Sequence, residues 1–197
     1  MTAFEQLDLL FAKNNGIVKT GQVLEIGISK TTFYSYICNH GIERVAHGIY
    51  VLPDAWVDAM YMLHLRCDQA VFSHETALFL HDLTDREPSA YSITVKTGYN
   101  PTSLKADSIQ VYTIKSELHD VGRMMKNTPF GNPVPVYDAE RTICDLVRSR
   151  NKIEVQTFQS ALRQYAKCKE KNLRKLMQYG KLFRVEKLLR QYLEVLL

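Results

Sequence analysis

The chain has 197 residues, 46% of them apolar, which is enough for one or two domains with real cores. No stretch approaches the roughly 20 apolar residues of a membrane span. The opening Met1-Thr2-Ala3-Phe4-Glu5-Gln6 lacks the basic and apolar blocks of a signal peptide, so a soluble, cytoplasmic protein is expected. The net charge of +4 hides an asymmetry: residues 1–140 hold 11 Lys/Arg against 16 Asp/Glu, and residues 141–197 hold 14 against 5. A basic segment of this kind meets nucleic acid or an acidic partner, or simply forms the solvated faces of amphipathic helices. Cys38, Cys67, Cys144 and Cys168 are scattered without a Cys-x-x-Cys pair, so reduced, mostly buried thiols are expected rather than disulfides or zinc.

Thr2 and Glu5 have capping-box spacing, and Phe4, Leu7 and Phe11 then form the apolar stripe of a first helix. Asn14-Asn15-Gly16 ends it. Thr20 caps a short second helix carrying Val23 and Leu24 inward, and Gly27 supplies the left-handed turn of a helix-turn-helix. Ser29 is the next N-cap, opening a helix to about Asn39. Phe33, Ile37 and Tyr36 supply its buried side, leaving Lys30, Thr31, Thr32, Tyr34 and Ser35 on the outward face and first turns. An ammonium, hydroxyls and an aromatic ring are what a recognition helix uses on phosphates, base edges and thymine methyls. His40-Gly41 stops this helix, and Ile42, Val45, Ile49 and Val51 around Ala46-His47-Gly48 predict a hairpin. Arg44 and His47 fall near its tip, suited to a phosphate or the minor groove. The whole reads as a winged helix-turn-helix over residues 1–53.

Residues 1–52 hold four basic and four acidic side chains, too balanced for strong phosphate-driven binding by this module alone. Dimerisation or the basic C-terminal part would have to add to the grip.

From Asp54 a second domain is expected, with a mixed α/β core over 54–150 and a basic helical segment over 151–197. Trp56, Met60, Leu63 and Cys67 share one helical face. Ala70-Val71-Phe72 is a buried run, and Ser73 caps a helix through His81. Tyr91, Ile93 and Val95 alternate, as do Ile109, Val111 and Thr113, predicting two half-buried strands. Val134-Pro135-Val136-Tyr137 reads as a strand that its proline confines to an edge or an irregular position, and Asp138 caps the helix bearing Ile143, Leu146 and Val147. Beyond Asn151 three apolar stripes follow: Val155, Phe158, Leu162 and Tyr165; Leu173, Leu176 and Met177; Val185, Leu188, Leu189, Tyr192 and Leu196. Arg163, Lys167, Arg174, Lys175, Lys181, Arg184, Lys187 and Arg190 occupy the complementary faces. The expected fold class is α+β.

Several phrases resemble one family. Ile28–Pro53, above all Glu43-Arg44-Val45-Ala46-His47-Gly48-Ile49-Tyr50-Val51-Leu52-Pro53, is joined by Ser73-His74-Glu75-Thr76-Ala77-Leu78, His81-Asp82-Leu83-Thr84-Asp85 and Val136-Tyr137-Asp138-Ala139-Glu140-Arg141-Thr142-Ile143-Cys144-Asp145. Taken in this order over nearly the full chain, they resemble AbiEi-type antitoxins, the transcriptional regulators of bacterial toxin–antitoxin operons linked to abortive phage infection. The resemblance implies an N-terminal winged helix that binds inverted repeats in its own promoter and represses it. It also implies a C-terminal domain that neutralises a nucleotidyltransferase-type toxin, in several members without a stable complex. At the tip of the wing this chain has His47-Gly48 where the family usually carries Arg-Gly or a similarly basic pair.

Other chemistry is weaker. His74, Glu75, His81 and Asp82 are spaced too widely for a His-x-x-x-His metal pair. Asp138 and Glu140 near a strand end could suggest a nuclease, but a cap and a first-turn acid account for them better. Phosphate loops of the glycine-rich types are absent from the sequence. The expectation is therefore a non-enzymatic, cofactor-free autorepressor and antitoxin. Its partners would be operator DNA, read by a homodimer on the inverted repeat, and a cognate toxin. The rivals are a winged-helix-targeted nuclease and an antitoxin that blocks its toxin sterically.

Overall fold

The computed structural model describes residues 1–196 and is a mixed α+β structure with two sheets. It divides into two compact units, residues 1–68 with 127–133, and residues 69–126 with 134–197. No helix among the described residues is long and apolar enough to cross a membrane.

The first unit opens with α1 (Ala3–Lys13), held by the capping box: Thr2 Oγ1 accepts from the Glu5 amide at 3.2 Å and Glu5 Oε2 from the Thr2 amide at 2.9 Å. Asn15 and Gly16 turn the chain with positive φ. At Gly16 a Cβ would lie 2.5 Å from that of Ala55, so close approach as well as conformation demands glycine. The chain then forms β1 (Ile17–Lys19), α2 (Thr20–Glu25), α3 (Lys30–His40), β2 (Glu43–Ala46) and β3 (Ile49–Val51). β3 lies between β1 and β2, antiparallel to both. Leu7, Phe11, Val23, Phe33, Tyr36 and Tyr50 are among the buried side chains of one apolar core.

Three expectations change here. Thr20 is the first residue of α2 rather than its cap, and its hydroxyl donates to the Gly48 carbonyl at 3.2 Å. Val45 is 40% exposed, because the β2–β3 register shifts between Arg44 and Ala46 and takes it out of alternation. Leu24, expected inward beside Val23, is 45% exposed. The strand β1, whose three residues are too few to show a period, is not among the expected elements at all.

The first unit also reaches past Pro53, where the sequence places the domain boundary, and takes in α4 (Ala59–Arg66). Buried Asp58 explains why. Its Oδ1 caps α4 by accepting from the Tyr61 amide, and its Oδ2 accepts from Thr128 Oγ1 and from Asn132 Nδ2 at 2.9 Å. A carboxylate with three donors is stable out of water, and it ties the 127–133 loop to this unit. Trp56, expected on the face of this helix, precedes it and is 81% exposed.

The second unit begins with β4 (Val71–Phe72), α5 (His74–Leu80), β5 (Ser92–Lys96), α6 (Thr102–Ala106), β6 (Gln110–Ile114), α7 (Ser116–His119), β7 (Arg123–Asn127) and β8 (Pro133–Tyr137). Its sheet runs β6-β5-β4-β8-β7. Pro135 therefore sits in an interior strand rather than at an edge. β8 meets the two-residue β4 only at Phe72↔Val136, so the missing proline amide removes nothing from that ladder. β5 is buried on both faces, with Ile93 and Val95 on one and Ser92 and Thr94 on the other. On the second face Thr94 is satisfied by a side-chain bond, while Ser92 Oγ has no partner among the described residues. The Ser92 amide donates to Thr76 Oγ1, and Thr94 Oγ1 donates to Ser73 Oγ. Ser73 occupies the cap position of α5 but makes no cap bond, spending its hydroxyl on Thr94 and His74 instead.

Four helices complete the unit: α8 (Ala139–Arg148), α9 (Val155–Lys167), α10 (Leu173–Leu182) and α11 (Glu186–Leu196). α8 is the hub, buried at every position from Glu140 to Val147. Phe158, Leu162, Tyr165, Leu176, Val185 and Leu189 pack around it as the stripes predict. Val155 is an exception at 67% exposed, since it opens α9 at its outer end. The Leu196 side chain lies outside the described residues. All four cysteines are free thiols, and burial pushes that of Cys144 up to about 12.

Candidate nucleic-acid interface

α3 owes its start to Ser29, whose Oγ accepts from the Thr32 amide at 3.2 Å, and its end to left-handed Gly41. Phe33 and Tyr36 are buried and anchor it against α1. The Tyr36 ring stacks on Phe11 and meets Phe4 edge-on, while its hydroxyl donates to Asp8 Oδ1. Burial and the Asp8 carboxylate both raise the Tyr36 phenol, so it stays a donor. Ile37, expected inside, is half-buried.

This anchoring leaves Lys30, Thr31, Tyr34 and Ser35 exposed on one helix. Thr32, grouped with them in the sequence, is half-buried, and its hydroxyl lies 2.9 Å from Ser29 Oγ as part of the cap. Its hydroxyl is thus committed before any ligand arrives.

The hairpin lies against the same helix. Tyr34, 48% exposed, stands with its ring 6.5 Å from that of Tyr50, which also meets Phe33 edge-on at 5.0 Å. Tyr50 is the register partner of Arg44. Burial and a hydrogen bond with Tyr34 raise the Tyr50 phenol, while the Arg44 guanidinium pulls against them. Tyr34, Tyr50 and Arg44 thus link the exposed side of α3 to β2. At the tip, Arg44 Nη2 donates to His47 Nδ1 at 2.9 Å, leaving Nε2 to carry the ring proton. Left-handed Gly48 forms the turn, and its carbonyl accepts from both the amide and the hydroxyl of Thr20. The hairpin tip is therefore fastened to the start of α2. Tyr50 and Thr20 escaped sequence reading as site residues, because their role is to hold the exposed groups in place and no motif marks that.

The acidic pair at α8 has other work. Asp138 Oδ1 caps the helix through the Arg141 amide at 2.8 Å, and its Oδ2 accepts from Lys175 Nζ and Tyr179. Glu140 accepts from Tyr165 and from the Asn172 amide. Asp138 thereby joins α8 to α10, and Glu140 joins it to α9 and to the cap of α10. The residues His74, Glu75, His81 and Asp82 do not converge. His81 Nε2 donates to the Tyr137 carbonyl at 2.7 Å, and His74 stacks on Tyr112 with ring centres 3.5 Å apart. Asp82 is exposed beside Lys126. No group of three or more metal-ligating side chains forms among the described residues.

No protein-family model matches the chain, and no curated protein matches it. Among solved structures it is similar to the crystal structure of the RV2827C protein from Mycobacterium tuberculosis, at 12% identity and a TM-score of 0.56. The match covers 90% of this chain and 72% of that one, so the two share a fold across both compact units.

Proposed function

We propose that the first unit is a winged helix-turn-helix that binds DNA, and that the chain is an autorepressing antitoxin of a toxin–antitoxin operon. The observation that supports the DNA-binding reading best is the exposed row Lys30, Thr31, Tyr34 and Ser35 on α3, joined through Tyr50 to Arg44 on a hairpin whose tip is tied down. A rigid helix presenting a cation, hydroxyls and an aromatic ring enters a major groove, while a basic hairpin tip rests on adjacent backbone. The antitoxin role and the nucleotidyltransferase-type toxin rest on the sequence resemblance alone. The second unit would neutralise that toxin, and basic faces on its helices would add salt-dependent affinity.

The test is fluorescence anisotropy on DNA from the chain's own upstream region, across a salt series. Lys30→Ala is expected to weaken binding by about 1–3 kcal/mol if Lys30 meets a base, with the salt slope lower by about one unit. Unchanged affinity and slope in this variant would remove Lys30 from the interface. Growth rescue from the neighbouring toxin gene tests the antitoxin reading separately, and failure of rescue would leave only a DNA-binding protein.

A further inference from the structure

Arg141 is the largest side chain to be fully buried. It lies one turn into α8, and its surroundings satisfy most of it. Nε donates to Asp145 Oδ2 at 2.8 Å, and Nη1 donates to the carbonyls of Leu118 and Val121 at 3.0 and 3.1 Å. The guanidinium lies 4.3 Å from the centre of the Tyr137 ring and 3.8 Å from that of Phe183. Nη2 has no hydrogen-bond partner among the described residues. A buried charged donor left unmade is costly, and native structures seldom keep one without a use.

Arg141 lines a cavity of about 250 Å³ in the second unit, together with Asp145, Arg148, Lys152, Ser149 and His74. Three cations face a single carboxylate there. That carboxylate is shared, since Asp145 Oδ1 also takes Arg148 Nη1 at 3.3 Å. His74 adds no charge. Burial lowers it to about 3, and Arg148, Arg141 and Lys152 all oppose its protonation. Its Nδ1 and Nε2 are hydrogen-bonded to Ser73 Oγ and Ser149 Oγ, so it is held as a neutral wall. A concave positive site with low-dielectric walls concentrates anions, and the exposed Arg148 guanidinium is suited to an oxyanion. The volume is below the ~300–1,000 Å³ of ordinary small-molecule pockets, so an anionic head enters rather than a whole metabolite.

We infer that this cavity binds a phosphate-sized oxyanion, either free phosphate or the phosphate group of a small molecule. Arg148 and Lys152, which are solvent-exposed, supply the direct contacts, and Arg141 supplies the charge at the base. The inference does not depend on DNA binding by the first unit.

The full chain is titrated with sodium phosphate, and separately with AMP, against sodium chloride of equal ionic strength, by calorimetry and thermal shift. Saturable binding of one or both is expected. Stronger binding of AMP identifies a carried phosphate, and equal or stronger binding of phosphate identifies the free ion. Arg148→Gln with Lys152→Gln should keep the fold, by circular dichroism, and lose at least tenfold in affinity. Lys13→Gln with Lys105→Gln, an equal charge change elsewhere, should bind as the parent does. No saturable response to either ligand overturns the inference, as does undiminished binding by the Arg148/Lys152 variant.

Discussion

The exposed face of α3 and the buried surroundings of Arg141 use cations in opposite ways. On α3, Lys30, Thr31 and Ser35 are exposed, and Tyr34, 48% exposed, sets its inner side against Phe33 and Tyr50. Around α8, Arg141 and Arg148 both bond Asp145, and Lys175 holds Asp138 and lies 3.8 Å from Glu140. Arg190 pairs with Glu186 on α11. The 14 Lys/Arg of residues 141–197 are therefore not one free basic surface, because several of them balance carboxylates inside the unit. Counting charges ranks the C-terminal segment as the better anion binder. Their placement leaves it two distinct resources, exposed helix faces and one enclosed cavity.

If that contrast holds, substitutions in the second unit should act on stability and those on α3 on binding. Arg141→Ala is expected to have the largest effect, about 3–5 kcal/mol in urea unfolding, because it leaves Asp145 buried with a weaker counter-charge. Arg141→Lys should recover little, since an ammonium cannot make the same forked bonds between two rings. A loss below about 1 kcal/mol for Arg141→Ala would show the guanidinium to be structurally idle.

Next comes Asp58→Ala, at about 2–4 kcal/mol, because it removes a cap and strands two buried donors, Thr128 and Asn132. Hydrogen exchange should rise first in residues 127–133. Rapid exchange confined to α1 instead would break the link between Asp58 and that loop.

His74 predicts a pH dependence. Its folded value of about 3 lies below the unfolded value near 6.5, so in that window the unfolded chain binds a proton that the folded chain excludes. Its contribution is present above the unfolded value and is lost as pH falls. The loss is about 2 kcal/mol between pH 7 and pH 5 from this one group. His74→Gln should flatten the profile by that amount, and parallel profiles for parent and variant would mean that His74 titrates alike in both states.

The smallest effect is expected on α3. Ser35→Ala should change stability by no more than about 0.5 kcal/mol, as for exposed positions generally, while its DNA affinity is measured separately. A large stability loss there would erase the contrast between the two regions.

Much of the local structure was legible because it is written in short-range chemistry. The Thr2/Glu5 box, the Ser29 and Asp138 caps, the turns at Gly16, Gly27 and Gly41 and the stripes of α8 to α11 each depend on residues within about two helical turns. The α3 face followed from the same periodicity, apart from Thr32, which the Ser29 cap draws in. What only the tertiary structure decided depends on residues distant in sequence. Asp58 reaches Thr128 and Asn132 and moves the unit boundary beyond Pro53. Pro135 is admitted to an interior strand by the shortness of β4. Arg141, unremarkable among the charges of a basic segment, becomes a buried cation when Leu118, Val121, Tyr137 and Phe183 close around it. Local sequence sets backbone propensity and the pattern of faces, but the desolvation of a charge depends on every segment packed against it.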